Sequence, residues 1–260
     1  MSGIVERKVD RRAGSVWQQV DDRIVEESPL EIRLEGTPLA VVMRTPGHEA
    51  ELILGFALTE GILIGPHELA GIDEIDANRW DLRPVDGVFV DPTRFQRNFY
   101  STSSCGVCGK ASIDAIRISS GPLNQDLRVP VDVLAGLPES MRAHQVNFDE
   151  TGGLHAAAAV TVEGELIALR EDVGRHNAVD KLVGALAPDR WRFNDLVLFV
   201  SGRMSFEVVQ KAAVAGFPVV CGISAASSLA VELGEELGMT VVGFVRGDSC
   251  TVYCGRPRIV

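Results

Sequence analysis

Apolar and polar positions divide this chain into two regions with different rhythms. The first twenty or so residues are charged and show no clear period, which predicts a loose segment or an early strand. Leu30 to Leu34 alternates, Glu35-Gly36-Thr37-Pro38 reads as a turn, and Leu39 to Met43 forms a second strand. Thr45 is expected as an N-cap with Pro46 at the first helical position. Glu49 to Glu60 has helical apolar spacing through Leu52, Ile53, Phe56 and Ala57, and Gly61 stops it. Short strands are expected near Ile72 to Ile75 and Gly87 to Val90.

Gly121 to Pro130 reads as a boundary, which gives an N-terminal domain over 1–128 and a C-terminal domain over 129–260. Val131 to Leu137 is a short helix ended by Pro138. Ala156 to Val162 and Leu166 to Arg170 form a hairpin around Glu163-Gly164. Asp172 is expected to cap a helix over Val173 to Leu186. Strand Leu196 to Ser201, helix Ser205 to Gly216, strand Pro218 to Ile223, helix Ala226 to Gly238 and strand Thr240 to Val245 follow. Strands alternating with helices at this spacing predict an α/β layer with a largely parallel sheet. Its strands are nearly continuous apolar runs, as a sheet covered on both faces requires.

Composition narrows the function classes. Apolar residues make up 46% and charged residues 23% of 260, which is ordinary for a soluble globular protein. Met1 to Arg12 lacks the apolar stretch of a signal peptide, and no run is long enough to span a bilayer. A cytoplasmic location is expected, where five cysteines are not a disulfide framework. The net charge of −11 argues against a nucleic-acid binder. Against that balance the tail is locally basic: Arg246, Arg256 and Arg258 face only Asp248 from Gly243 onward, a pattern suited to a phosphate-bearing small molecule.

Candidate chemistry concentrates at Ser104-Cys105-Gly106-Val107-Cys108-Gly109-Lys110. This spacing lets two sulfurs face one small volume, and glycines permit close backbone approach. Three uses are open: half a zinc site, a redox dithiol, or a nucleophile that carries sulfur. A structural zinc site needs four ligands, and there is one CxxC. Cys250 and Cys254 lie four apart, and His155 and His176 could join only through the fold. The thioredoxin context, CxxC opening a helix in a βαβ unit, is missing from the first half. A carrier needs an exposed thiol of low pKa on a loop, which Ser101-Thr102-Ser103-Ser104, the glycines and Lys110 suit. A helix over Lys110 to Ile116 would add its dipole to favour thiolate.

Three further segments bear polar groups. In Glu171-Asp172-Val173-Gly174-Arg175-His176-Asn177-Ala178-Val179-Asp180-Lys181, His176 and Asp180 share a helix face and the first turn offers anion donors. Ser201-Gly202-Arg203-Met204-Ser205 and Phe244-Val245-Arg246-Gly247-Asp248-Ser249 each follow a predicted strand. Ligands of open α/β sheets bind beyond the carboxyl ends of strands, so these two loops make a phosphate or nucleotide pocket plausible.

These segments, CGVCGK, EDVGRHNAVDKLVG, SGRMSFEVVQKAAVAG and GFVRGDS in this order, resemble the formate dehydrogenase accessory sulfurtransferases, the FdhD family. The resemblance implies a carrier that accepts sulfur from a cysteine desulfurase. It would pass that sulfur to the molybdenum cofactor, as bis-molybdopterin guanine dinucleotide, before insertion into apo formate dehydrogenase. By the family pattern Cys105 matches the persulfide-forming cysteine and Cys108 the second cysteine. Phe244 to Ser249 matches the segment assigned to the guanine dinucleotide, and Arg246, Arg203 and Arg175 are the expected phosphate partners. The resemblance also implies a homodimer, no resident catalytic metal, and a three-layer C-terminal domain with the cytidine deaminase fold beside a smaller α+β domain carrying the CxxC loop. The deaminase signature is absent: His155 is followed by Ala156-Ala157, without a Glu two residues on, and no Pro-Cys-x-x-Cys follows. A metal-dependent hydrolase and a chaperone that binds cofactor without moving sulfur are the alternatives.

Overall fold

A computed structural model describes residues 3–90 and 123–260. The CxxC segment, with Cys105 and Cys108, and the helix expected over Lys110 to Ile116 lie outside the described residues. The central element is a mixed six-stranded sheet of strands β7 (His155–Val160), β8 (Leu166–Asp172), β9 (Val197–Val200), β10 (Val219–Gly222), β11 (Thr240–Arg246) and β12 (Ser249–Cys254). Their order is β12-β11-β10-β9-β7-β8. Only β9, β10 and β11 are mutually parallel; β7, β8 and β12 run antiparallel to their neighbours. The expectation of a largely parallel sheet is corrected accordingly. The short β7–β8 and β11–β12 connections close as hairpins, and hairpins pair antiparallel.

Both faces of this sheet are covered. Ala157, Leu198, Val200, Val220 and Val241 join the core that also holds the buried side of helices α1 (Glu49–Thr59), α4 (Arg175–Leu186), α5 (Phe206–Ala215) and α6 (Ser228–Glu236). Ala158, Phe199, Val219, Cys221 and Val242 face the other way, against Leu134, Leu137 and Met141 of helix α2 (Val131–His144). The helix–sheet–helix layering predicted for the C-terminal half is therefore present. Helix α2 passes through Pro138 to His144, instead of stopping there, because Leu134, Leu137 and Met141 stay in register for burial on the sheet. A short helix α3 (Val146–Thr151) follows.

The N-terminal half adds two sheets. Strands β3 (Ser28–Leu34), β4 (Thr37–Arg44), β5 (Leu69–Asp76) and β6 (Arg79–Pro84) form a four-stranded sheet in the order β4-β3-β6-β5. The strand expected at Gly87–Val90 is not formed; Gly87 sits in a turn at φ 91°, and β6 lies just before it. The unpatterned N-terminus is a regular antiparallel hairpin, β1 (Ile4–Ala13) and β2 (Val16–Val25), turning at Gly14. Its residues are half-buried or exposed, so charges are tolerated along it and mask its period.

Helix α1 belongs to the first half of the chain, yet it lies on α4 of the second. Gly55 and Gly184 allow backbone-to-backbone contact: a Cβ on Gly55 would fall 1.8 Å from the Asp180 carbonyl oxygen, and one on Gly184 would fall 1.8 Å from that of Glu51. Beside this crossing Thr45 does not cap α1. Its amide donates to Asp172 Oδ2 at 3.1 Å, its hydroxyl accepts from the Val173 amide at 3.1 Å, and its carbonyl accepts from Lys181 Nζ at 2.8 Å. Helix α1 begins instead after His48, which adopts φ 62°. Asp172 likewise ends β8 and does not start a helix; α4 begins at Arg175 after Gly174, because Asp172 is committed to Thr45, to Lys181 at 2.7 Å and to the Gly174 amide.

Gly55→Ala and Gly184→Ala are each expected to lower stability by about 3 kcal/mol or more, since backbone cannot yield as a side chain does. Gly136→Ala, in helix α2 with no atom within 4 Å of its added Cβ, is expected to be neutral or to stabilise by about 0.5–1 kcal/mol. Urea unfolding of the three variants checks both outcomes.

Candidate functional site

The carboxyl ends of β9, β10 and β11 open onto one edge of the central sheet, together with the start of antiparallel β7. Ser201 closes β9 there. Its amide donates to the Ala156 carbonyl at 3.0 Å, and its hydroxyl accepts from the Ala156 amide at 2.9 Å. Gly202 follows because a side chain would meet His155 Nδ1 at 3.1 Å and Arg175 Cβ at 3.5 Å. Arg203 is exposed, and Met204 is buried in an isolated bridge to Ala226.

The same edge gathers charge and neutral imidazoles. Burial, then the charge of Arg175 and further that of Arg203, lower the pKa of His155, with Asp172 opposing. At the start of α4, His176 Nε2 lies 3.1 Å from Ser205 Oγ and Nδ1 lies 3.4 Å from Glu207 Oε2, both groups at the start of α5. Burial, Arg175 and Lys211 push His176 down to about 3, so it is neutral at physiological pH. The Nε of Arg175 is buried without a hydrogen-bond partner among the described residues. Asp180, predicted to share a face with His176, turns into a separate buried network. It accepts from Lys211 Nζ at 3.1 and 3.0 Å and from the Thr59 hydroxyl at 2.7 Å.

The segment Phe244 to Ser249 is the end of β11 and its hairpin turn into β12. The ladder slips between Gly243 and Arg246, and Phe244 takes φ 52°, the left-handed region an aromatic residue seldom occupies. Such strain persists where surrounding structure fixes it, and it clusters at ligand sites. Here the Phe244 amide is held by the Ser224 carbonyl at 3.1 Å. Gly243 lies so close to Ser224, Tyr253 and Met204 that a Cβ would fall 2.7 Å from the Ser224 oxygen. The result is an outward-turned ring in a strand otherwise buried up to Val245, with the Arg246 guanidinium 5.7 Å from its centroid. Val245 itself is wholly buried, so it can offer a ligand only its backbone. Gly247 and Asp248 form the exposed turn, and the Ser249 hydroxyl donates to the Arg246 carbonyl at 3.1 Å.

A cavity of about 520 Å³ adjoins this edge, lined among others by His155, Ser201, Arg142, Phe148, Gly153 and Ile223. Arg142 lies 4.4 Å above the Phe148 ring. Sequence reasoning missed Arg142 and Phe148 because it ended the helix at Pro138, before Arg142 is reached. It missed the Ser205 and Glu207 partners of His176 because contact between the starts of two helices has no local signature. Cys221 is core, as expected from its strand, and burial pushes its thiol well up. Cys250 and Cys254 lie on β12, Cys254 buried and Cys250 partly so. Among the described residues no group of three or more His, Cys, Asp or Glu is placed to hold a metal ion, and no helix is long and apolar enough to cross a membrane.

The fold and this edge define a mixed α/β protein with an arginine-rich, aromatic-bearing edge beyond its parallel strands. The chain belongs to the FdhD/NarQ family, whose sequence model matches residues 25–260. It is 50% identical to the sulfur carrier protein FdhD of Streptomyces avermitilis over 97% of this chain and 94% of the relative. It is 44% identical to that of Sulfolobus acidocaldarius over 92% of each. The crystal structure of a candidate formate dehydrogenase accessory protein from Desulfotalea psychrophila has the same fold, with a TM-score of 0.81 at 22% identity over 99% of both chains.

His176 has a direct consequence for stability. Its folded pKa of about 3 lies below its ordinary 6.5. Between these values the unfolded chain binds a proton that the folded chain refuses. Stability is therefore full above pH 6.5 and falls as pH drops, with this one group contributing up to about 1.4 kcal/mol per pH unit. Urea unfolding from pH 7 to pH 4 is expected to give a shallower loss for His176→Gln than for the parent.

Proposed function

We propose that this protein is a sulfur carrier serving formate dehydrogenase maturation. The observation that carries the reading is near-full-length identity to proteins named sulfur carrier protein FdhD. The ligand edge supports it by supplying what a phosphate-rich acceptor needs: an exposed aromatic ring, adjacent arginine and open backbone at the strand ends. On this reading the Cys105 thiolate attacks the terminal sulfur of a cysteine desulfurase persulfide. The desulfurase thiolate leaves and Cys105–S–S⁻ forms, a transfer of neutral sulfur without net redox change. The bis-molybdopterin guanine dinucleotide cofactor is the acceptor, and apo formate dehydrogenase receives it afterwards. Cys108 assists release by closing a disulfide on Cys105, which a cellular thiol then reduces.

In this account Phe244 stacks on guanine, and Arg246, Arg203 and Arg175 hold the phosphates, with Gly247, Asp248 and Ser249 presenting backbone and hydroxyl groups. The protein acts in the cytoplasm as a homodimer on a deaminase-like scaffold turned to carrying, without a resident catalytic metal, nucleic acid or membrane.

Two measurements test the reading. Intact mass after incubation with a cysteine desulfurase and free cysteine is expected to show a reductant-labile gain of sulfur in the parent and none in Cys105→Ala; no gain in the parent contradicts the carrier role. Arg246→Ala is expected to weaken guanosine diphosphate binding by at least about tenfold in calorimetry, as loss of one charge-assisted contact does. It should leave sulfur loading intact, and unchanged nucleotide affinity removes Arg246 from the site.

A further inference from the structure

The basic tail is one group in the sequence and two in the fold. The β11–β12 hairpin carries Arg246 to the carboxyl edge, then returns the chain so that Cys254 pairs with Val241 at the edge where the parallel strands begin. Arg256 and Arg258 follow there. Arg128 arrives beside them because Val129 bridges Ile259, its amide donating to the Arg258 carbonyl at 2.8 Å. A cavity of about 360 Å³ opens at this place, lined among others by Arg128, Arg258, Gln125, Gly238 and Glu235.

Among the described residues no carboxylate pairs with its arginines. Arg258 is 5% exposed, and every acceptor it meets among the described residues is neutral: the Asn124 carbonyl at 3.2 and 3.0 Å, Gln125 Oε1 at 2.7 Å and the Thr240 hydroxyl at 3.3 Å. Among the described residues Arg128 donates to the carbonyls of Gln125 and Leu127, both at 3.0 Å, and to no carboxylate. Among the described residues none of Arg128, Arg256 and Arg258 makes an ion pair, although Glu235 lines the same cavity. Carbonyl oxygens satisfy N–H groups and leave the positive charge in place, and burying such a charge unpaired is costly. Burial first, then the field of Arg128, lower the pKa of Arg258, so the two cations oppose each other across the cavity. Gly238, at φ 64°, keeps the wall open, since a Cβ there would come 3.1 Å from Gln125 Nε2.

We propose that this cavity is an anion site for a phosphoryl or pyrophosphoryl group, at the opposite edge of the sheet from Arg246. A guanidinium matches phosphate oxygens in geometry as well as charge, and an incoming dianion would supply the counter-charge that the protein leaves out.

The test uses the full chain in an Arg246→Ala background, which weakens the carboxyl edge. Isothermal titration with inorganic pyrophosphate, and separately with inorganic phosphate, is expected to show one site. Adding Arg128→Ala should weaken it by at least about tenfold. Arg128 is exposed and among the described residues bonds only its own loop, so that variant is expected to keep the parent's melting curve. Glu235→Gln should tighten binding by removing the wall's carboxylate. Tighter pyrophosphate than phosphate assigns a diphosphate ligand, and equal affinities assign a single phosphoryl group. Absence of binding in the Arg246→Ala background, or binding that survives Arg128→Ala undiminished, overturns the proposal.

Discussion

The structure depends on one close approach, the crossing of helices α1 and α4 at Gly55 and Gly184. Each glycine faces a carbonyl oxygen of the other helix at a distance that leaves no room for a methyl group. Around the crossing the polar latch of Thr45, Asp172 and Lys181 is almost wholly buried, and Asn177 Nδ2 adds a bond to the Met43 carbonyl at 2.7 Å. These contacts join residues far apart in sequence, so the four-stranded sheet and the six-stranded sheet share one apolar core. The latch also sets where α4 begins. Because Asp172 holds Thr45 and the Gly174 amide, Arg175 and His176 emerge directly at the carboxyl edge.

Charge is distributed to match. The chain carries a net charge of −11, yet Arg175, Arg203 and Arg246 stand at the carboxyl edge of the central sheet and Arg128, Arg256 and Arg258 at the opposite one. At the carboxyl edge burial keeps both histidines short of protons, so the positive charge there is arginine's and does not vary across physiological pH. On the proposed reading, a carrier that holds a phosphate-rich acceptor while a thiolate approaches gains from such constancy. The left-handed Phe244 contributes shape: it breaks the strand's burial and turns a ring outward beside Arg246.

Much of this was legible in the sequence. The C-terminal strands and helices were readable because buried strands with helices between them have strong local signals, and β9, α5, β10, α6 and β11 fall within two residues or so of expectation. Arg175, Arg203 and the Phe244–Ser249 loop were legible as strand-end and helix-start groups. What was not legible is tertiary. Thr45-Pro46 and Asp172 carry the side chains of helix caps, but a distant partner uses those side chains first. Pro138 breaks helices in isolation, and here the burial of Leu134, Leu137 and Met141 outweighs it. The β1–β2 hairpin lacks a buried face to enforce alternation, so its period is hidden by charge. The meeting of Arg128 and Arg258 depends on which edge the last hairpin turns toward, which no local pattern encodes.

The central claim is that one chain holds sulfur on Cys105 and presents it to an acceptor bound at the carboxyl edge. The direct measurement is single-turnover transfer of ³⁵S from loaded protein to the cofactor of formate dehydrogenase, comparing the parent with Arg246→Ala. The account predicts that the parent releases its label to the cofactor and that Arg246→Ala stays loaded. Transfer by Arg246→Ala at the parent's rate would contradict it.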